Sequence, residues 1–320
     1  MLRIDQYLTT DDLAKALRRD VAEGLGSRPR SLPPKWFYDE RGSALFEEIT
    51  RLAEYYPTRA ERAILLGHAP EIARASGADT LVELGAGSGE KTRLLLDALR
   101  AAGTLRRFVP VDVSGAFLRE SAAAIGAGYP GLEVHAVVAD FERHLHLLPS
   151  GGRRAVAVLG STLGNQPPDR RAAFLADLRE GFAEGDTLLL GLDLVKDPAR
   201  LVAAYDDARG VTAEFNRNVL RVLNRELDAD LRPEGFDHVA VWDPRAEWIE
   251  MRLRARSAQR ARVRAIGLEV DFAAGEEVRT EISAKSDLEG IAAELRRAGF
   301  GLEHWWTDPA GDFALLLARP

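Results

Sequence analysis

Cysteine is absent from all 320 residues. That excludes a disulfide framework, a thiol nucleophile and cysteine-ligated metal. No run approaches 18 consecutive apolar residues, so no segment is expected to span a membrane. Residues 1–20 are charged throughout and lack the apolar core of a signal peptide, which predicts a cytoplasmic protein. An excess of positive charge is also missing. The formal net charge is −7, acidic and basic residues are intermixed, and neither a long basic run nor a basic–aromatic stripe occurs. Nucleic acid is therefore a disfavoured partner. Lysine is scarce beside arginine, so Lys35, Lys91 and Lys285 are individually noticeable. Histidine is scarce too: His144 and His146 are too few for a metal site without further ligands, and His68, His135, His238 and His304 show no triad spacing. No metal is expected.

What remains is a chain 46% hydrophobic, long enough for a large catalytic domain and a smaller lobe. Thr10 is a candidate cap for a helix whose apolar positions Leu13, Leu17, Val21 and Leu25 recur every four residues. Thr58 and Glu61 have the spacing of a capping box opening another helix. From residue 80 the pattern changes. Short apolar strands at 80–84, 108–113, 132–139, 155–159 and 187–192 alternate with helices, which predicts an α/β parallel sheet covered on both faces. After Lys196 the alternation stops. A helical stretch to about residue 230 leads to strands at 239–242, 248–256, 263–271 and 277–283. Ile249, Met251 and Leu253 alternate there with polar neighbours, as in an antiparallel sheet with one wet face. Ser286 and Glu289 read as a second capping box. A closing hairpin, 304–307 and 313–318, is expected to rejoin the first sheet. The division that follows is 1–60 as the N-terminal part of a substrate lobe, 61–196 as the sheet domain, 197–285 as an inserted lobe, and 286–320 as a return to the sheet.

The strongest local signal is Glu83-Leu84-Gly85-Ala86-Gly87-Ser88-Gly89, between a strand and a helix. Its glycines allow a tight turn and close approach of a ligand. The spacing is G-x-G-x-G and lacks the G-x-G-x-x-G that seats a pyrophosphate on a helix N-terminus. Adenosylmethionine, which has no pyrophosphate, suits such a loop, and Glu83 can face its cationic portion. Asp112 ends the next strand, where a carboxylate can accept both ribose hydroxyls. Asp140 and Phe141 end the third, where they can hold and stack the adenine. Lys91 can reach the carboxylate of the methionine moiety. Each has a plain alternative: an ordinary turn for the glycines, a helix N-cap for Asp112, core for Phe141, a solvated face for Lys91. Their recurrence at successive strand ends of one sheet is where a ligand crevice belongs.

Five further segments carry a family resemblance: Ser31-Leu32-Pro33-Pro34-Lys35-Trp36-Phe37-Tyr38-Asp39, Glu54-Tyr55-Tyr56-Pro57-Thr58-Arg59, Gly160-Ser161-Thr162-Leu163-Gly164-Asn165, Thr280-Glu281-Ile282-Ser283 and His304-Trp305-Trp306-Thr307-Asp308. With them the chain, from near residue 5 to its C-terminus, resembles the bacterial L-histidine Nα-methyltransferases of ergothioneine biosynthesis. The resemblance implies a Rossmann-like class I S-adenosylmethionine-dependent methyltransferase sheet with a second α+β substrate-binding lobe, and a histidine pocket between the two lobes. It implies S-adenosyl-L-methionine bound by Gly85, Gly87, Lys91, Asp112, Asp140, Phe141 and Gly160. Tyr55, Asn165 and Tyr205 are implied at the substrate's carboxylate and amino group. Glu281 and Ser283 are the implied imidazole clamp, with Phe46 and Met251 as further substrate contacts. Tyr38 and Asn165 are the residues implied nearest the reaction. By pattern alone, Glu281 and Ser283 equally suit the wet face of a strand, Tyr55 and Asn165 turns, and Tyr205 a helix core. One departure from the family is Ser286, where an aromatic is usual after the equivalent of Lys285.

The implied partners are L-histidine and its mono- and dimethyl intermediates, with three methyl transfers giving the betaine hercynine; a monomer is the default expectation, which the resemblance does not supply. Competing readings are an N-methyltransferase of another small amino acid, a macromolecular methyltransferase, and a non-catalytic adenosylmethionine-binding module.

Overall fold

The computed structural model describes residues 2–87 and 89–320; Ser88 of the glycine turn and Met1 lie outside the described residues. In chain order the elements are β1 (Leu2–Gln6), α1 (Thr10–Gly26), β2 (Arg30–Ser31), α2 (Glu40–Ile49), α3 (Pro57–Ser76), β3 (Thr80–Leu84), α4 (Thr92–Ala101), β4 (Arg107–Asp112), α5 (Gly115–Gly128), β5 (Glu133–Val138), α6 (Phe141–His144), β6 (Arg154–Val158), α7 (Pro168–Glu180) and β7 (Thr187–Asp193). There follow α8 (Pro198–Tyr205), α9 (Val211–Leu227), β8 (Phe236–Asp243), β9 (Trp248–Ala255), β10 (Gln259–Val263), β11 (Leu268–Phe272), β12 (Glu277–Ala284), α10 (Leu288–Arg297), β13 (Gly301–Thr307) and β14 (Phe313–Arg319). They form two compact units, one of Met1–Leu8, Pro57–Val195 and Lys285–Pro320, the other of Thr9–Tyr56 and Lys196–Ala284.

The first unit is built on an eight-stranded sheet in the order β1-β5-β4-β3-β6-β7-β14-β13. All neighbours from β1 to β7 are parallel, and the β13–β14 hairpin adds antiparallel to β7. β3, β6 and β7 are buried along their whole length, which is why they read as unbroken apolar runs such as Leu188-Leu189-Leu190. The chain runs outward from β3 through β4 to β5, then returns to the other side of β3 for β6. That reversal makes a topological switch point at the carboxyl ends of β3 and β6, where such sheets bind ligands. Residues 1–60 are corrected at their start: Leu2–Gln6 pairs in register with Val134–Val138 and belongs to this sheet.

The second unit packs α1, α2, α8 and α9 with a four-stranded sheet, β2-β12-β9-β8, and the separate β10–β11 hairpin. The single strand expected over 263–271 is two strands, divided at Gly267, whose φ of +62° reverses the chain. β12 carries a bulge: Arg279 faces Arg252 and Glu281 faces Met251, so Thr280 is the extra residue.

Three helix starts differ from expectation. Thr9, one residue before Thr10, caps α1 in a reciprocal box with Asp12. Asp287, one residue after Ser286, caps α10 by accepting from Gly290 N–H at 2.7 Å. Glu61 does not close a box with Thr58, since its carboxylate bonds elsewhere. Ser286 works through its backbone, donating to Asp193 O and accepting from Val195 N–H. The adjacent Lys285 forms a fully buried ion pair with Asp193 at 2.8 Å. Thus the chain leaving this unit after Val195 and the chain returning to it at Lys285 are tied to each other. Among the described residues no helix is long and apolar enough to cross a membrane, and no group of three or more His, Asp or Glu side chains is set to hold a metal.

Candidate functional site

At the end of β3 the glycine turn adopts left-handed backbone, with φ of +76° at Gly85 and +51° at Gly87. Side chains are strained there, so glycine is required by conformation. At Gly87 there is open space where a Cβ would stand, and at Gly85 the nearest atom is Phe141 Cε1 at 3.9 Å. At Gly85 and Gly87 the turn is thus bare of side chains, and beside it stands an aromatic ring that also packs edge-on against Phe174. Asp112, at the end of β4, accepts from Ser114 N–H at 2.9 Å and Gly87 N–H at 3.4 Å. Burial pushes its carboxyl above the ordinary value against the pull of those N–H groups. The N-cap of α5 is Ser114, so Asp112 is not the cap itself. Asp140 and Phe141 follow β5 directly. These residues fit the nucleoside of adenosylmethionine: a carboxylate at a strand end, a ring face beside a bare turn, and no seat for a pyrophosphate.

Two buried carboxyls lie beneath this turn. Glu83, the last but one residue of β3, accepts from the Thr92 hydroxyl at 2.5 Å, and burial pushes its carboxyl up to about 8. Its side chain is therefore engaged at the first residue of α4. Glu61 of α3 is fully buried; one oxygen accepts from the Lys91 ammonium and the other from Gly160 N–H at 2.8 Å. Lys91 and Gly160 are thus brought together by a residue that sequence reasoning assigned to a helix start. Asn165 ends a short 3₁₀ turn, Thr162–Asn165, in this same unit.

The second unit brings the other expected residues into one continuous wall. Tyr38 meets Phe46 edge-on at 5.6 Å between centroids, Phe46 meets Tyr55 at 6.2 Å, and Tyr55 meets Tyr205 at 6.3 Å. The Tyr205 hydroxyl then donates to Ser283 Oγ at 2.7 Å. Glu281 stands two residues before Ser283, directly across the ladder from Met251, which lies in the same core. The wet-face alternative fails at Ser283, which is 2% exposed. The core alternative holds for Tyr205 only in part, since its hydroxyl is engaged by Ser283.

A polar chain behind the wall escaped sequence reasoning. Thr280, buried on the same face of β12 as Val278 and Ile282, donates to Asn216 Oδ1 at 2.7 Å; Asn216 Nδ2 donates to His238 Nδ1 at 2.8 Å; and His238 Nε2 lies 2.7 Å from Tyr205 O. This fixes the tautomer with the proton on Nε2. Burial holds His238 below its ordinary value, although Asp206 stands 3.9 Å away. The alternation Val278, Thr280, Ile282 marks Thr280 as inward, but its partners Asn216 and His238 come from other elements and carry no local mark.

With this geometry in view, similarity to known proteins becomes informative. Residues 17–320 match the family model described as histidine-specific, SAM-dependent methyltransferase. The histidine N-alpha-methyltransferase of Mycolicibacterium smegmatis is 61% identical, covering 99% of this chain and 99% of that protein. The protein of the same name from Mycobacterium tuberculosis is 59% identical over 98% of each. Ergothioneine biosynthesis protein 1 of Neurospora crassa is 33% identical over 73% of this chain and 29% of its own length. Since the family match takes in almost the whole of both units, this chain belongs to the SAM-dependent, histidine-specific methyltransferases.

Proposed function

We propose that this protein methylates the α-amino nitrogen of L-histidine three times, giving the betaine hercynine for ergothioneine biosynthesis. The observation that carries the reading is 61% identity, over 99% of both chains, to a histidine N-alpha-methyltransferase. The site supports it residue by residue. Gly85 and Gly87 give the cofactor a bare turn, Asp112 accepts from its ribose, Asp140 and Phe141 hold its base, and Gly160 and Lys91 its amino-acid end. Tyr55, Asn165 and Tyr205 take the carboxylate and amine of histidine. Glu281 accepts from one imidazole N–H, and the Ser283 hydroxyl adapts to the other nitrogen. Phe46 and Met251 wall the pocket.

When bound, adenosylmethionine supplies a methyl group activated by the sulfonium. The protein's share is to position the amine and keep it uncharged. Orientation of two reactants is worth roughly 7–11 kcal/mol. Desolvation against the Tyr38, Phe46 and Tyr55 wall disfavours the ammonium form and favours the free lone pair. The Tyr38 hydroxyl orients that lone pair. A site built to satisfy both ring nitrogens rejects an apolar ring by about 10⁴-fold.

The test is incubation with adenosylmethionine and histidine, followed by mass measurement of the product. A gain of three methyl groups is expected. Transfer to a different amino acid in preference to histidine, or none to any, refutes the proposal.

A further inference from the structure

Glu61 is the buried charged group that the mechanism above leaves without a task. Its position is over-determined. Its side chain is 0% exposed, one oxygen accepts the Gly160 amide at 2.8 Å, and the other takes the Lys91 ammonium. Behind it stands Gly191 of β7, where a Cβ would come within 2.0 Å of Glu61 Oε1. The carboxylate therefore cannot swing back toward the sheet, and it bridges the glycine after β6 to the lysine before α4. Those are the two residues assigned to the amino-acid end of the cofactor.

Lys91 is the less buried member of the pair, and its side chain keeps 23% of its surface exposed. An ammonium carries three donors. One is spent on Glu61, so two remain for an incoming carboxylate. Pulling Lys91 away altogether would leave Glu61 buried and uncompensated, which is strongly unfavourable. The ammonium must stay on Glu61 and reach outward at the same time. We propose that Glu61 is a positioning residue: by anchoring Lys91 and the Gly160 amide to one buried carboxylate, it presents them as a preformed seat for the carboxylate tail of S-adenosylmethionine. The inference rests on the reading that this loop binds that cofactor.

Two ligands separate this role from a merely structural one. S-adenosylhomocysteine carries the amino-acid tail, and 5′-methylthioadenosine has the same nucleoside without it. Calorimetric titration of wild-type protein with both tests the cofactor reading by itself; failure to bind either overturns that reading, and the inference with it. Given binding, Glu61→Gln keeps an acceptor for Gly160 and removes the charge that holds Lys91. The expected result is a loss of about tenfold or more for S-adenosylhomocysteine, the size of one charge-assisted hydrogen bond, with less than about threefold change for methylthioadenosine. In a Lys91→Met background the same substitution should alter S-adenosylhomocysteine affinity by less than about twofold, because its effect runs through the lysine. Gly191→Ala displaces the carboxylate from the far side without touching Lys91 and should show the same selectivity, which covers failure of Glu61→Gln to fold. Equal losses for both ligands would make Glu61 a plain brace. Tighter S-adenosylhomocysteine binding would make it a competitor for Lys91. Either result, or no change, overturns the proposal.

Discussion

Glu83 stands one residue before the end of β3, buried, with the Thr92 hydroxyl as its donor and its carboxyl pushed up to about 8. In the unfolded chain the same group ionises near its ordinary value of 4.5. Between those values the folded protein holds the proton that the unfolded chain has released. Stability therefore falls as pH rises from 4.5 through 8 on account of this group, and is unaffected by it outside that window. Glu83→Gln keeps an acceptor for Thr92 and has no proton to lose. Denaturant midpoints measured from pH 5 to 9 should show the variant gaining on wild type steadily with pH; parallel curves would contradict this. The neighbouring glycines and Asp112 were readable from sequence because their task is local, a turn and a strand end. Glu61 was misread for the same reason. Thr58 and Glu61 satisfy a short-range rule, while the groups that hold Glu61 lie 30 and 99 residues further along. Spacing cannot report a partner that only the sheet brings near.

Elements show the same division. The buried strands of the first unit announced themselves as apolar runs, but β1 did not. Its Arg3 and Asp5 bond to each other on an exposed edge, so it has no apolar run to read. The bulge in β12 is equally silent, and the buried Thr280 lies within it beside Glu281. Thr280→Val preserves shape and removes the hydroxyl that donates to Asn216, leaving a buried amide oxygen short of a donor. A cost of about 1–3 kcal/mol is expected from denaturant unfolding. Because the chain continues through His238 to the Tyr205 backbone, the KM for histidine should also rise while cofactor affinity holds. Stability loss with an unchanged KM would show that the chain braces the unit without serving the wall.

In the whole molecule, strand–helix alternation breaks after Lys196, and Lys196–Ala284 falls in the second compact unit. The reassignment of the N-terminal strand required the sheet itself. The departure of the chain from the first unit after Val195 and its return at Lys285 are fastened at one point, where Lys285 meets Asp193 in full burial. Lys285→Met should cost about 3–5 kcal/mol by stranding Asp193, and adding Asp193→Leu should recover most of it; additive losses would mean that the pair is not the fastener. The sheet order has a further consequence for synthesis. β14, which follows β7 by more than a hundred residues, lies between β7 and β13. While the ribosome makes everything from α8 to α10, the outer edge of the leucine-rich β7 has no neighbour, for a time on the order of ten seconds at ordinary elongation rates. A nascent chain in that interval offers a naked template to other chains. Shielding it until β14 has been made is a demand placed on the cell by the strand order alone.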